Sequence, residues 1–79
     1  MSSVAELLEW LARQLVDDPD AVRVEAVERD DVTILQLYVA PEDRGKVIGR
    51  QGRIARALRT IVRAGAARSR QRMVLEIVE

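Results

Sequence analysis

The segment Val32-Thr33-Ile34-Leu35-Gln36-Leu37-Tyr38-Val39 limits the folds open to this 79-residue chain more than any other feature. It is rich in β-branched side chains and nearly all apolar, so it reads as a strand buried on most of both sides. Such a strand is central and needs a partner on each edge. One partner precedes it. Val22, Val24 and Ala26 alternate with Arg23, Glu25 and Val27, and the polar tip Arg29-Asp30-Asp31 turns that strand back as a hairpin. The other partner is Met73-Val74-Leu75-Glu76-Ile77-Val78. It returns only after two helical patterns, which allows parallel pairing through a right-handed crossover.

The helical patterns have recognisable ends. Ser3-Val4-Ala5-Glu6 fits a capping box. Val4, Leu7, Leu8, Leu11, Ala12 and Leu15 then recur at spacings of three and four, which predicts an amphipathic helix over 3–16 with Trp10 beside its stripe. Asp17-Asp18-Pro19-Asp20 reads as a turn, since a calcium loop needs a longer, glycine-containing spacing. Pro41 suits the first position of a short second helix, with Glu42 and Asp43 at its positive end and Gly49 as its stop. A third helix starts near Gly52 and runs to about Ala64 or beyond, with Ile54, Ala57, Leu58, Ile61 and Val62 as its stripe. Gly65 to Arg72 reads as a loop or a frayed helix end. The order is α-β-β-α-α-β: one α+β domain over 1–79, a three-stranded mixed sheet with its middle strand at 32–40, and three helices on one face.

The chemistry available is narrow. There is no cysteine and no histidine, which excludes disulfides, thiolate metal sites and the commonest general base. Ser2, Ser3, Thr33, Thr60 and Ser69 are the only hydroxyl side chains of their kind, and none sits beside a plausible base. A non-catalytic protein without metal or cofactor is expected. No apolar run approaches the ~20 residues that cross a bilayer, and the N-terminus has no signal-peptide pattern. The expectation is a cytoplasmic protein with no membrane partner.

Charge is segregated although the net charge is zero. Residues 44–72 hold ten of the thirteen basic side chains and none of the thirteen acidic ones. Such a block presents a positive face to a polyanion. Inside it lies Gly45-Lys46-Val47-Ile48-Gly49-Arg50-Gln51-Gly52-Arg53-Ile54. Two glycines there flank two polar residues at a junction between helices. Without Cβ atoms they let a sugar-phosphate backbone approach, and the following helix offers unpaired N–H groups to a phosphate. Arg50 and Gln51 would project from the tip, with Lys46 and Arg53 beside them. A P-loop is excluded because Val47 follows Gly45-Lys46, and a dinucleotide fingerprint is excluded because it needs glycine at position 47.

Val47-Ile48-Gly49-Arg50-Gln51-Gly52-Arg53-Ile54 resembles the signature of KH domains, an apolar pair before a G-x-x-G loop and an isoleucine after it. The element order is that of type II KH domains. The length, Val39-Ala40-Pro41-Glu42-Asp43 and the ending Val74-Leu75-Glu76-Ile77-Val78-Glu79 are similar to the KhpA family of small bacterial KH proteins. The resemblance implies that Gly49, Arg50, Gln51 and Gly52 clamp about four nucleotides of single-stranded RNA. It implies that Val47, Ile48 and Ile54 support the groove floor, and that Arg68, Arg70 and Arg72 stand in the variable loop as its far wall. Also implied are an RNA-chaperone role, pairing with a second, KhpB-like KH protein, and a link to cell-wall homeostasis and cell shape.

Two function classes stay open at this level. One is an RNA-binding module, with bases packed on aliphatic side chains because the basic block has no aromatic residue. The other is an interaction subunit in which the loop is mainly structural and an apolar surface forms a homodimer or heterodimer.

Overall fold

A computed structural model describes residues 3–78. The chain forms helix α1 (Val4–Leu15), strands β1 (Arg23–Arg29) and β2 (Val32–Tyr38), helices α2 (Arg44–Ile48) and α3 (Arg53–Arg68), and strand β3 (Met73–Ile77). Single 3-10 turns at Pro19–Ala21, Pro41–Asp43 and Arg50–Gly52 link them. The sheet order is β1-β2-β3, with β1 antiparallel and β3 parallel to the central β2. This is the mixed α+β architecture expected.

Local chemistry explains the element ends. The Ser3 hydroxyl accepts from the Glu6 N–H at 3.1 Å and the Glu6 carboxylate accepts from the Ser3 N–H at 2.9 Å, which completes the capping box of α1. Arg29 pairs with Val32, so Asp30 and Asp31 alone make the hairpin turn. Both have positive φ, 52° and 67°, the conformation of a type I′ turn.

Leu35 and Leu37 of β2 and Leu75 of β3 meet Leu8 and Ala12 of α1, Val47 of α2, and Leu58 and Val62 of α3 in one core. By alternation, Ile34, Gln36 and Tyr38 point to the opposite face, which no helix covers. The middle strand is therefore buried on one side and half-buried on the other. Helix α1 runs antiparallel to α3. Its first residue, Val4, packs on Gly65 near the end of α3, and the turn after it reaches Asp43 ahead of α2.

Three local expectations are corrected. Val22 is buried but closes the 3-10 turn before β1, and Ala26 is exposed on the edge strand β1. The buried stripe of α3 is Ala55, Leu58, Val62 and Ala66, which leaves Ala57 and Ile61 exposed. Of the two readings of Gly65 to Arg72, a loop or a helix end, the loop is corrected: helix α3 continues beyond Ala64 to Arg68. Gly65 is a packing notch for α1, where the sequence pattern reads as the start of a loop or a frayed helix end.

Candidate nucleic-acid interface

The loop Gly49–Gly52 joins α2 to α3 through three successive departures from helical geometry or strain-free backbone. Gly49 has φ 78° and ψ 172°, a region open essentially to glycine. A Cβ there would also lie 2.7 Å from Cγ1 of Ile54. Ile54 thus packs under the turn, where a larger residue at position 49 would displace it. Gln51 (φ 57°) and Gly52 (φ 72°) are both left-handed, and the Gly52 N–H donates to the Gly49 carbonyl at 3.1 Å. The turn exposes Arg50 and Gln51. Arg53 donates to the Gln51 side chain at 3.3 Å. Gly52 caps α3 without a side-chain hydrogen bond, and the Arg53 N–H donates to the Arg50 carbonyl, so the positive end of α3 lies next to Arg50 and Arg53.

The remaining site residues expected from sequence fall into distinct environments. Val47 is fully buried and acts as core, while Ile48 is exposed beside the loop. Lys46 turns toward the α1–β1 turn, with its ammonium 3.2 Å from Asp17 and 3.4 Å from Asp43. Hydrogen bonding to Asp17, and that carboxylate's charge, raise the Lys46 pKa, with Asp43 adding to both. Asp43 is only 2% exposed. Burial pushes its pKa up, but the backbone N–H groups of Asp18 and Asp17 and the Lys46 ammonium outweigh that, so it lies below the ordinary carboxylate value. Lys46 is the one member of the basic block with an ion pair among the described residues.

Beyond the loop, a groove runs between α3 and the edge strand β3. Arg59 and Arg63 form one wall and Met73, Val74 and Leu75 the other, around a space of ≈ 230 Å³. It continues past Ala66 and Ala67 to Arg72 in a second space of ≈ 280 Å³. Sequence reasoning missed Arg59 and Arg63 as groove residues. Their four-residue spacing, set against the buried Ala55-Leu58-Val62-Ala66 stripe, is the signal that identifies them. Arg68 does not line the groove. It follows Arg59 by nine positions, which places it about half a turn around the helix.

The end of α3 fixes the far wall. The Gln71 N–H donates to the Ala66 carbonyl at 2.9 Å and the Arg70 N–H to the Ala67 carbonyl at 3.2 Å. This is a Schellman cap with Arg70, φ 56°, in the place usually held by glycine. Neither aromatic side chain lines the groove. Tyr38 lies on the open sheet face with the Arg23 guanidinium 4.1 Å from its ring centre, and Trp10, 58% exposed, is on α1.

The chain is similar to known proteins over nearly its whole length. The family model described as KhpA/KhpB, KH domain matches residues 5–77. An RNA-binding protein KhpA of Clostridium acetobutylicum is 53% identical over 73 residues, covering 92% of this chain and 97% of that protein. The RNA-binding protein KhpA of Aquifex aeolicus is 48% identical over 79 residues, all of both chains. That of Treponema pallidum is 53% identical over 74 residues, 94% of this chain and 92% of the relative. These are binding proteins by name and not enzymes. The chain belongs to the KhpA/KhpB KH-domain family.

Proposed function

We propose that this protein binds single-stranded RNA without catalysis, with the Gly49–Gly52 turn gripping the backbone and the α3–β3 groove receiving the bases. The observation that carries this reading is the pairing of the two. A turn whose backbone is bare at Gly49 and Gly52 leads into α3, whose Arg59 and Arg63 wall a groove faced by aliphatic Met73 and Val74. The guanidiniums suit phosphates and the aliphatic wall suits base faces, with little sequence discrimination from stacking. The names of the relatives support it.

On this reading Arg50, Gln51 and Arg53 contact RNA, Ile48 and Ile54 support the turn, and Arg70 and Arg72 close the far end. Val47 acts only through the core, and Lys46 anchors α2 to the α1–β1 turn. The cellular role is that of a cytoplasmic RNA chaperone or post-transcriptional regulator working with a second, KhpB-like KH protein, in processes of cell-wall homeostasis and cell shape. Self-association is supported by Leu7, Trp10 and Ile61, large apolar side chains exposed on α1 and α3.

The test replaces Arg50 and Gln51 together with Asp. Both side chains are exposed, so the fold should cost less than about 0.5 kcal/mol. Two carboxylates where a phosphate should sit repel it, so RNA affinity should be nearly abolished with the melting temperature close to wild type. A folded double variant that retains RNA binding would leave the loop a structural role and favour the interaction-subunit reading.

A further inference from the structure

Past Arg72 the basic groove meets side chains of the opposite sign. Glu28, Asp31 and Thr33 of the β1–β2 hairpin and Arg70, Gln71 and Arg72 of the α3–β3 connection line one space of ≈ 420 Å³. Gln71 and Arg72 line both this space and the groove beside α3, so the two adjoin at these side chains. The walls are held at a fixed separation, because the Thr33 N–H donates to the Arg72 carbonyl at 2.8 Å. Glu28 stands directly across from Thr33 in the strand register. Yet among the described residues neither Glu28 nor Asp31 forms an ion pair with Arg70 or Arg72.

Two cations and two carboxylates that share a groove without pairing leave room for a ligand carrying both kinds of partner. A bare phosphate would be repelled by the carboxylates, and a cation by the guanidiniums. A nucleotide offers both: phosphate oxygens to arginine, and an exocyclic amino group to a carboxylate. Single-stranded RNA presents such edges because its bases are splayed out of the stack. Uracil has no exocyclic amine and places a carbonyl oxygen where cytosine has its amino group. We propose that this end of the groove is a base-reading pocket, in which Glu28 and Asp31 accept from the exocyclic amino group of a base while Arg70 and Arg72 hold its phosphate, and that it discriminates against uracil. The inference rests on the RNA-binding reading above and adds a specificity to it.

Oligocytidine and oligouridine of equal length make the test. Both are pyrimidines and differ along one edge, where cytosine carries an amino group at C4 and an acceptor at N3 and uracil a carbonyl at C4 and an N–H at N3. Each is titrated by fluorescence anisotropy at one salt concentration against wild type and against Glu28→Ala/Asp31→Gly. Glycine suits the positive φ at position 31, and the melting temperature reports that the variant is folded. Wild type should bind oligocytidine about fivefold or more tightly than oligouridine, the scale of one good base-edge contact. In the variant the ratio should fall to about one, with oligouridine bound more tightly than by wild type. Equal binding of the two by wild type overturns the proposal. So does a variant that gains affinity for both with its preference unchanged, because the carboxylates would then only repel phosphate. Absence of binding to either RNA by wild type instead overturns the RNA-binding reading itself.

Discussion

A Cβ placed on Gly65 would stand 2.6 Å from Cγ2 of Val4, so α1 and α3 touch at a point shaped for glycine. Alanine at position 65 gains about 1 kcal/mol of helix propensity. Against that, valine in a helix is nearly confined to one rotamer, and overpacking costs about 1–3 kcal/mol. Gly65→Ala should therefore destabilise the fold by about 1 kcal/mol. Adding Val4→Ala should reverse the penalty. Urea denaturation of the wild type, both single variants and the double variant gives the coupling. Independent effects would show that the crossing tolerates the extra methyl.

Arg70 supplies a test in which stability and binding move in opposite directions. It holds a left-handed conformation at the helix cap, which costs a non-glycine residue roughly 1 kcal/mol. Arg70→Gly should raise stability by about that amount and weaken RNA binding severalfold through the lost guanidinium. Thermal denaturation and RNA titration on the same samples check both. A variant with unchanged RNA affinity would remove Arg70 from the interface.

Salt dependence counts the charges engaged. Arg50, Arg53, Arg59, Arg63, Arg70 and Arg72 flank the turn and the groove, and single-stranded RNA gives a log-log slope of roughly −0.7 per contact, so about −4 in all. Replacing Arg59 and Arg63 with Gln should bring the slope to roughly −3. A slope unaffected by that change would place the RNA on another surface.

Acid stability reports on Asp43. Its folded pKa is depressed, so it contributes stability that is present above the unfolded value, near 3.9, and lost as pH falls through the folded value. Lys46 acts in the mirror sense. Its raised pKa contributes below about 10.4, and that contribution is lost as pH rises through the folded value. Asp43→Asn should lower the plateau near neutral pH and flatten the acid limb of the stability profile. An acid limb as steep as wild type would assign the loss to other carboxylates.

Much of this architecture was legible in the residues. The apolar run at β2, the Asp30-Asp31 tip and the two helical stripes are local signals, and together they dictate a hairpin followed by a parallel crossover. What escaped depends on neighbours. Gly65 reads as the start of a loop or a frayed end because glycine weakens helices, and only the position of Val4 shows it to be a notch. Arg70 gives no sign in sequence that it takes the glycine place in the cap. The buried face of α3 is shifted toward Ala55 and Ala66, because β3 and α1 press on it from two sides and small residues suit close contact. Lys46 reads as a loop cation, and Asp17 draws it away from nearly thirty positions earlier in the chain. At the loop, the glycine spacing was evident, while the contact of Gly49 with Ile54 needed coordinates.

The two ends of the interface sit on opposite termini of one helix. The glycine turn precedes Arg53 and the cap follows Arg68, so 16 residues, about 24 Å at 1.5 Å per residue, separate them. Helix α3 is in this sense a ruler. On the proposed reading, the length of RNA accommodated is set by its turns and not by the strength of any contact. A single inserted residue within it would leave both ends intact but rotate one relative to the other by about 100°, carrying the guanidiniums off the groove. Change in the length of this helix is consequently far more disruptive than change in its exposed side chains.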